Sequence, residues 1–167
     1  YLNALDEYSR EAVTIRVQTR IKGVDVTAML DEAIARYGKP RHIRSDNGPE
    51  FIAKPVRKWA HKHRIEWIYI TPGHPWENGF QESFNGKFRD ECLNMEVLRS
   101  KTETHVIAER WRHYYNRERQ HSALGYQTPV AYRQAWAKRQ RPEAGSQPCA
   151  SLTAASPRGE GRREGGN

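Results

Sequence analysis

The stretch HIRSDNGPEF, residues 42–51, decides how this chain is read. Its second half has the composition of a bend, because Asp, Asn and Gly are turn formers and Asn47-Gly48 alone marks one. Its first half is a short strand that delivers Asp46 at its carboxyl end. The surroundings decide whether Asp46 is a turn residue or a metal ligand. Upstream, YLNALDEYS (1–9) and EAVTIRVQT (11–19) read as two strands joined through a polar stretch from Asp6 to Arg10, which makes a hairpin. Val26, Met29, Leu30, Ala33, Ile34 and Tyr37 recur at helical spacing, with Gly38 and Pro40 as the stop, so a helix is expected over 25–37. Downstream, Val56, Trp59, Ala60 and His63 mark a second helix, and IEWIYI (65–70) is an apolar strand.

Strand, helix, strand, helix, strand implies parallel pairing with right-handed crossovers, and the leading hairpin makes the sheet mixed. Ligands in such sheets gather at the carboxyl ends of the strands, where Asp46 stands. The loop TPGHPWEN (71–78) follows, and a helix begins near Phe80. Phe80, Phe84, Phe88 and Cys92 form its apolar stripe. Glu82, Asn85 and Arg89 fall within about 60° of each other at 3.6 residues per turn. On spacing alone, that Glu/Arg pair reads as ordinary surface charge.

The chain has 167 residues, enough for one domain with a real core, and a formal charge of +8, which makes a polyanion the first partner to test. Residues 101–141 carry 9 Lys/Arg against 3 Asp/Glu, so most of the excess charge lies there. Trp111, Tyr114, Tyr115, Tyr126, Tyr132 and Trp136 are interleaved with those bases, a mixture that serves as core plus rim or as a grip on nucleic acid. Trp59, Trp67 and Trp111 read as core. Trp76, in the loop, is a candidate DNA contact or a pin for the loop itself. Cys92 and Cys149 share no metal or disulfide spacing, no apolar run spans a membrane and no leader is visible, so a cytoplasmic protein is expected. Residues 142–167, rich in Pro, Gly, Ser, Ala and Arg, read as a disordered tail behind a core over 1–141.

Asp46 and Glu82 are separated by 35 residues. With LDEYSREA (5–12), HIRSDNGPEF (42–51), PWENGFQESFNGKFRDE (75–91) and YNRERQHSALGYQTP (115–129) in that order, the chain closely resembles the catalytic core of the retroviral-integrase superfamily, in particular transposases of bacterial insertion sequences. The resemblance runs from Tyr1 to about Gln140. It implies a ribonuclease-H-like α/β fold, a mixed sheet flanked by helices, whose first strand is missing from this chain.

By the same resemblance, Asp46 and Glu82 are the second and third acidic residues of a metal-binding triad, both catalytic and both metal ligands. The first acid would lie upstream of Tyr1, because Asp6 matches a position at a strand's end rather than the catalytic one. Arg89 matches a basic position near DNA, and Lys87, Asn47, Asn85 and Trp76 complete the expected DNA-binding set. Gly48, Glu50, Asn78 and Gly79 match positioning residues of the motifs. Glu77 is five residues short of the required spacing.

The implied cofactor is Mg²⁺, with Mn²⁺ as a substitute, since hard oxygen ligands suit both and a pair of ions about 4 Å apart can activate a nucleophile and neutralise a phosphorane-like centre. The implied partners are double-stranded DNA and further copies of the protein, in association with the nucleoid. Three function classes stay open on sequence: a transposase that cuts and joins, a nuclease that only cuts, and a fragment that only binds DNA.

Overall fold

The computed structural model describes residues 1–18, 20–71, 79–94, 100–139 and 151–156. The chain opens as β1 (Leu2–Asp6) and β2 (Ala12–Arg16), the expected antiparallel hairpin. Its turn is held by the Asp6 carboxylate, which accepts from the Ser9 hydroxyl at 2.5 Å and the Tyr8 amide at 3.3 Å. Asp6 is thus a buried turn-former. Pairing passes from Ala4–Thr14 to Leu5–Ala12 and leaves Val13 as an extra residue. This bulge lets Ala12 and Ile15, three apart, pack on one side of the sheet.

Helix α1 (Gly23–Tyr37), β3 (His42–Ser45), α2 (Lys54–His63) and β4 (Glu66–Tyr69) follow in the expected alternation. The N-terminus of α1 is held by Asp25, whose carboxylate accepts the Lys22 amide at 2.8 Å. Gly23 is required by close approach, since a Cβ there would meet the Ala53 Cβ at 2.8 Å. Next come α3 (Gly79–Phe88), a π-type turn (Arg89–Leu93), α4 (Lys101–Arg117) and α5 (Pro129–Arg139). Residues four apart drift by about 40° per step on an α-helix. The wider π turn takes up that drift, so Phe84, Phe88 and Cys92 all stay buried while Phe80 is only half-buried.

A fifth strand, β5 (Ser151–Ala155), comes from the segment expected to be disordered. That expectation fails for these residues; 142–150 and 157–167 lie outside the described residues. The sheet order is β2-β1-β5-β3-β4, with β5 antiparallel to β1 and parallel to β3. The C-terminal strand is therefore the centre of the sheet.

Two clusters cover the faces. Leu2, Ala4, Val13, Ile43, Leu152 and Ala154 pack under α1 and α2 with Met29, Leu30, Val56 and Trp59. Leu5, Ala12 and Ile15 pack under α3 and α4 with Phe84, Phe88, Trp111 and Tyr115. Trp59 and Trp111 are core residues as expected, and Trp67 is half-buried against the first cluster.

Strand β2 is the sheet edge, and α4 closes it. The Asn116 side chain accepts the Ala12 amide at 2.8 Å and donates to the Ala12 carbonyl at 2.9 Å, as a neighbouring strand would. Arg112 donates to the same carbonyl at 3.0 Å while its other nitrogens hold Glu109. Asn116→Ala should lower stability by about 1–3 kcal/mol, because a buried amide loses its partner; urea unfolding measures this, and an unchanged midpoint would refute the clamp.

Candidate active site

Asp46 is the residue after β3. Its Oδ1 accepts the Gly48 amide at 2.8 Å, so the turn reading of this residue is correct as far as it goes. The turn also aims the carboxylate. Asn47 latches it from the other side, donating to the Ile70 carbonyl at 2.9 Å and so tying the end of β3 to the end of β4. A Cβ on Gly48 would meet Asp46 Oδ1 at 2.9 Å and Glu50 Oε1 at 3.0 Å. Two carboxylates thus flank one glycine. The family resemblance gives Glu50 only a positioning role, and nothing in its spacing shows that the chain doubles back.

The register of the sheet connects Asp46 to α3. Ser45 pairs with Ala154 on β5, so one further step sets Asp46 beside Ala155. Ala155 pairs in turn with Asn3 on β1. By the alternation of strands, Asn3, Ala155 and Asp46 form a row on the α3 side of the sheet. Asn3 donates to Asn85 Oδ1 at 2.8 Å and accepts from the Gln81 amide, and both partners lie on α3. Gln81 and Asn85 bracket Glu82, which is exposed. Asp46 and the Glu82 turn of α3 therefore meet the same end of the sheet.

The remaining expected residues divide. Arg89 opens the π turn, is exposed, and lies by the Tyr1 hydroxyl, which burial pushes up in pKa against the pull of that guanidinium. Asn85 is committed to Asn3 and, through its carbonyl, to the Tyr1 hydroxyl at 3.3 Å. Lys87 lies on a different flank of α3: it donates to Ser83 at 3.2 Å and lines a cavity of about 470 Å³ with Arg10, Arg119 and His121. Trp76 and its loop lie outside the described residues.

Asp46 and Glu82 fit a hard divalent cation in kind, being oxygen donors. They fall short in number, because the described residues contain no group of three His, Cys, Asp or Glu able to hold a metal.

The structural comparisons identify the fold. The catalytic core domain of BIV integrase superposes with a TM-score of 0.65 at 19% identity, covering 84% of this chain and 90% of that one. The HTLV-2 integrase catalytic core domain in complex with magnesium, in its trimeric form, gives 0.58 at 18% identity, covering 78% and 82%. The fold is the ribonuclease-H-like fold of integrase cores, a mixed five-stranded sheet flanked by helices.

Sequence comparison supplies the family. Integrase core domain profiles match residues 1–75 and 63–129. The uncharacterized 39.2 kDa protein of insertion element IS476 from Xanthomonas euvesicatoria is 43% identical over 131 residues, 78% of this chain and 38% of that protein. The uncharacterized 31.7 kDa protein of insertion element IS407 from Burkholderia multivorans is 40% identical over 131 residues, 78% of this chain and 47% of that protein. The chain belongs to the integrase core domain family, is similar to proteins of bacterial insertion elements, and spans less than half the length of these two relatives. Among the described residues no helix is long and apolar enough to cross a membrane.

His121 gives this region a pH dependence. Burial, reinforced by the charges of Lys87 and Arg119, pushes its imidazole down to about 4, against a hydrogen bond with the Tyr115 backbone. Its Nε2 is buried without a partner among the described residues. Between its ordinary value of 6.5 and about 4, the unfolded chain binds a proton that the folded one does not. Stability should therefore fall as pH drops through that window. His121→Gln should flatten the fall in urea midpoint between pH 7 and pH 5, and an equal fall in both proteins would refute this assignment.

Proposed function

We propose that this chain is the catalytic segment of a DNA transposase, which hydrolyses a phosphodiester at an element's end and joins the freed 3′ end to a second strand, its 3′-hydroxyl attacking a phosphodiester there and displacing that strand's 3′-oxygen. What carries the reading is the convergence of Asp46 and the Glu82 turn of α3 on one end of the sheet, at the 35-residue separation seen in the sequence. Asp46 and Glu82 would hold Mg²⁺, or Mn²⁺ in its place, and the bound ion would neutralise charge on the attacked phosphate.

The protein's own groups do the rest. The Gly48 amide fixes the Asp46 carboxylate, and the Asn3–Asn85 and Asn3–Gln81 bonds fix the helix that carries Glu82. Arg89, two turns from Glu82 on an exposed face, would bind the backbone phosphate of double-stranded DNA. Exposed Arg110, Arg117, Lys138 and Arg139 would add nonspecific contacts along the flanking duplex. Two DNA ends would be held by two or more copies of the protein, associated with the nucleoid.

A second reading, DNA binding without chemistry, is favoured by one observation: two carboxylates stand where a metal-binding group of three is absent among the described residues. A strand-joining assay with labelled element ends, run on an insertion-element protein that carries this segment, separates the readings. Glu82→Gln should reduce joining by at least about 100-fold with the thermal midpoint unchanged; retained joining would refute the role of Glu82. Arg89→Ala should weaken duplex binding and reduce the slope of log affinity against log salt by about one. An unchanged slope would remove Arg89 from the DNA contact.

A further inference from the structure

The cavity of about 470 Å³ beside α3 has no part in the chemistry proposed above. Three segments build it. The hairpin turn contributes Arg10, whose amide donates to the Asp6 carbonyl at 2.8 Å. Helix α3 contributes Phe80, Ser83 and Lys87, and Arg119 and Tyr126 come from the segment after α4. That last segment is a closed loop. The His121 amide donates to the Gln127 carbonyl at 3.1 Å, and the Tyr126 amide donates to the His121 carbonyl at 2.8 Å. Gly125 and Tyr126 both stand at φ 62°, in the left-handed region. Glycine adopts that conformation freely, whereas a bulky side chain is rare there. Tyr126 is nonetheless 70% exposed, so its ring gains little from packing and is held open at the cavity wall.

Charge in the wall has one sign. Arg10, Lys87 and Arg119 line it, and no Asp or Glu does so among the described residues. Arg119 is held by Glu91 at 2.6 Å. Arg10 lies over the Phe80 ring at 4.4 Å, and Lys87 donates to the Ser83 hydroxyl at 3.2 Å. Neither of these two cations meets a carboxylate among the described residues. Their field is felt at His121, which is also in the wall: after burial, the charges of Lys87, Arg119 and Arg10 hold its imidazole below the ordinary value. Such a site attracts an anion. The Tyr126 ring beside it offers an open face to a flat group.

Phosphate and a flat ring are joined in a nucleotide. The space is of the size that encloses one small molecule, roughly 300–1,000 Å³, and a duplex cannot enter it. Ser83 and Lys87 lie about 100° and 140° round α3 from Glu82 at 3.6 residues per turn. A strand leaving the Glu82 flank therefore reaches the cavity by crossing one helix, about 10–12 Å wide.

We propose that this cavity receives one unpaired nucleotide of a DNA strand, its base against the Tyr126 ring and its phosphate between Arg10 and Lys87. The inference rests on the reading of the chain as a protein that cuts DNA. Cutting one strand near the end of a duplex shortens it and leaves the opposite strand unpaired there, so the proposed reaction itself supplies such a nucleotide. Ring stacking and phosphate pairing both tolerate any base, so the site selects for an unpaired strand rather than for a sequence.

The test uses the full chain and two labelled DNAs, a blunt duplex and the same duplex with five unpaired nucleotides at one end, compared by fluorescence anisotropy. The parent chain should bind the DNA with the unpaired end at least ~10-fold more tightly. Tyr126→Asn removes the ring while keeping a residue that accepts positive φ, and should reduce that preference to within about twofold with blunt-duplex affinity unchanged. Lys87→Gln should reduce the preference as well. Equal affinity of the parent for the two DNAs, or a preference that survives in Tyr126→Asn, would overturn the inference. Should Tyr126→Asn lower the thermal midpoint, the parent chain decides: 5-iodouracil in the unpaired stretch should cross-link on irradiation to Tyr126 or Phe80, and cross-links mapping only elsewhere would overturn it. Failure to bind either DNA would remove the DNA reading together with the cavity, whereas salt-dependent binding of both without preference would remove the cavity alone.

Discussion

The structure depends on a demand made by two strands. β1 and β3 each have one partner of their own, β2 and β4, and each turns its other edge towards the middle of the molecule. Those inner edges carry backbone donors and acceptors that water cannot reach once α1, α2, α3 and α4 have closed over the faces. Unmet, each such group is destabilising by about 1–3 kcal/mol. Some strand must lie between them. Here it is Ser151–Ala155, and the apolar cluster under α1 and α2 is continuous across the sheet because Leu152 and Ala154 bridge the halves.

The same geometry orders the candidate site. Backbone pairing on both sides of β5 sets Asn3, Ala155 and Asp46 level with each other. The amides of Gln81 and Asn85 then bring α3 onto that row. A helix docked through apolar contacts alone could slide; one docked through two side-chain amides on a buried asparagine has a fixed register. This explains polar residues in the core that a hydrophobic pattern would not place there. The buried network specifies where the Glu82 turn of α3 stands.

Most of the architecture was legible from short-range patterns. The hairpin, α1, the β3–α2–β4 succession and the aromatic stripe of α3 each repeat with the period of the element they form, and each was found with bounds close to those observed. Trp59 and Trp111 were rightly read as core. Composition misled at the end of the chain. SLTAA lies among Pro, Gly, Ser and Arg, with one large apolar residue, so no local signal separates it from a tail. Its partners, Asn3 to Asp6 and His42 to Ser45, are more than 100 positions away, and pairing over that separation leaves no mark in a window of sequence. The position of Lys87 on a different flank from Glu82, the commitment of Asn85 to Asn3 and the approach of Glu50 to Gly48 are also products of tertiary packing.

The placement of β5 fixes the order in which the molecule can be built. Asn3 meets Ala155 across nearly the full length of the described chain, whereas the β1–β2 hairpin closes over a few residues. Contact order this high slows folding, since the entropy of closing the long loop is lost before any pairing repays it. Domains emerge from the ribosome N-terminus first at roughly 5–20 residues per second. Both halves of the sheet are therefore synthesised, and wait with their inner edges open, for several seconds before the strand between them exists. In that interval each edge is a template for any extended segment nearby, which makes the nascent chain a target for chaperones and for pairing with another copy.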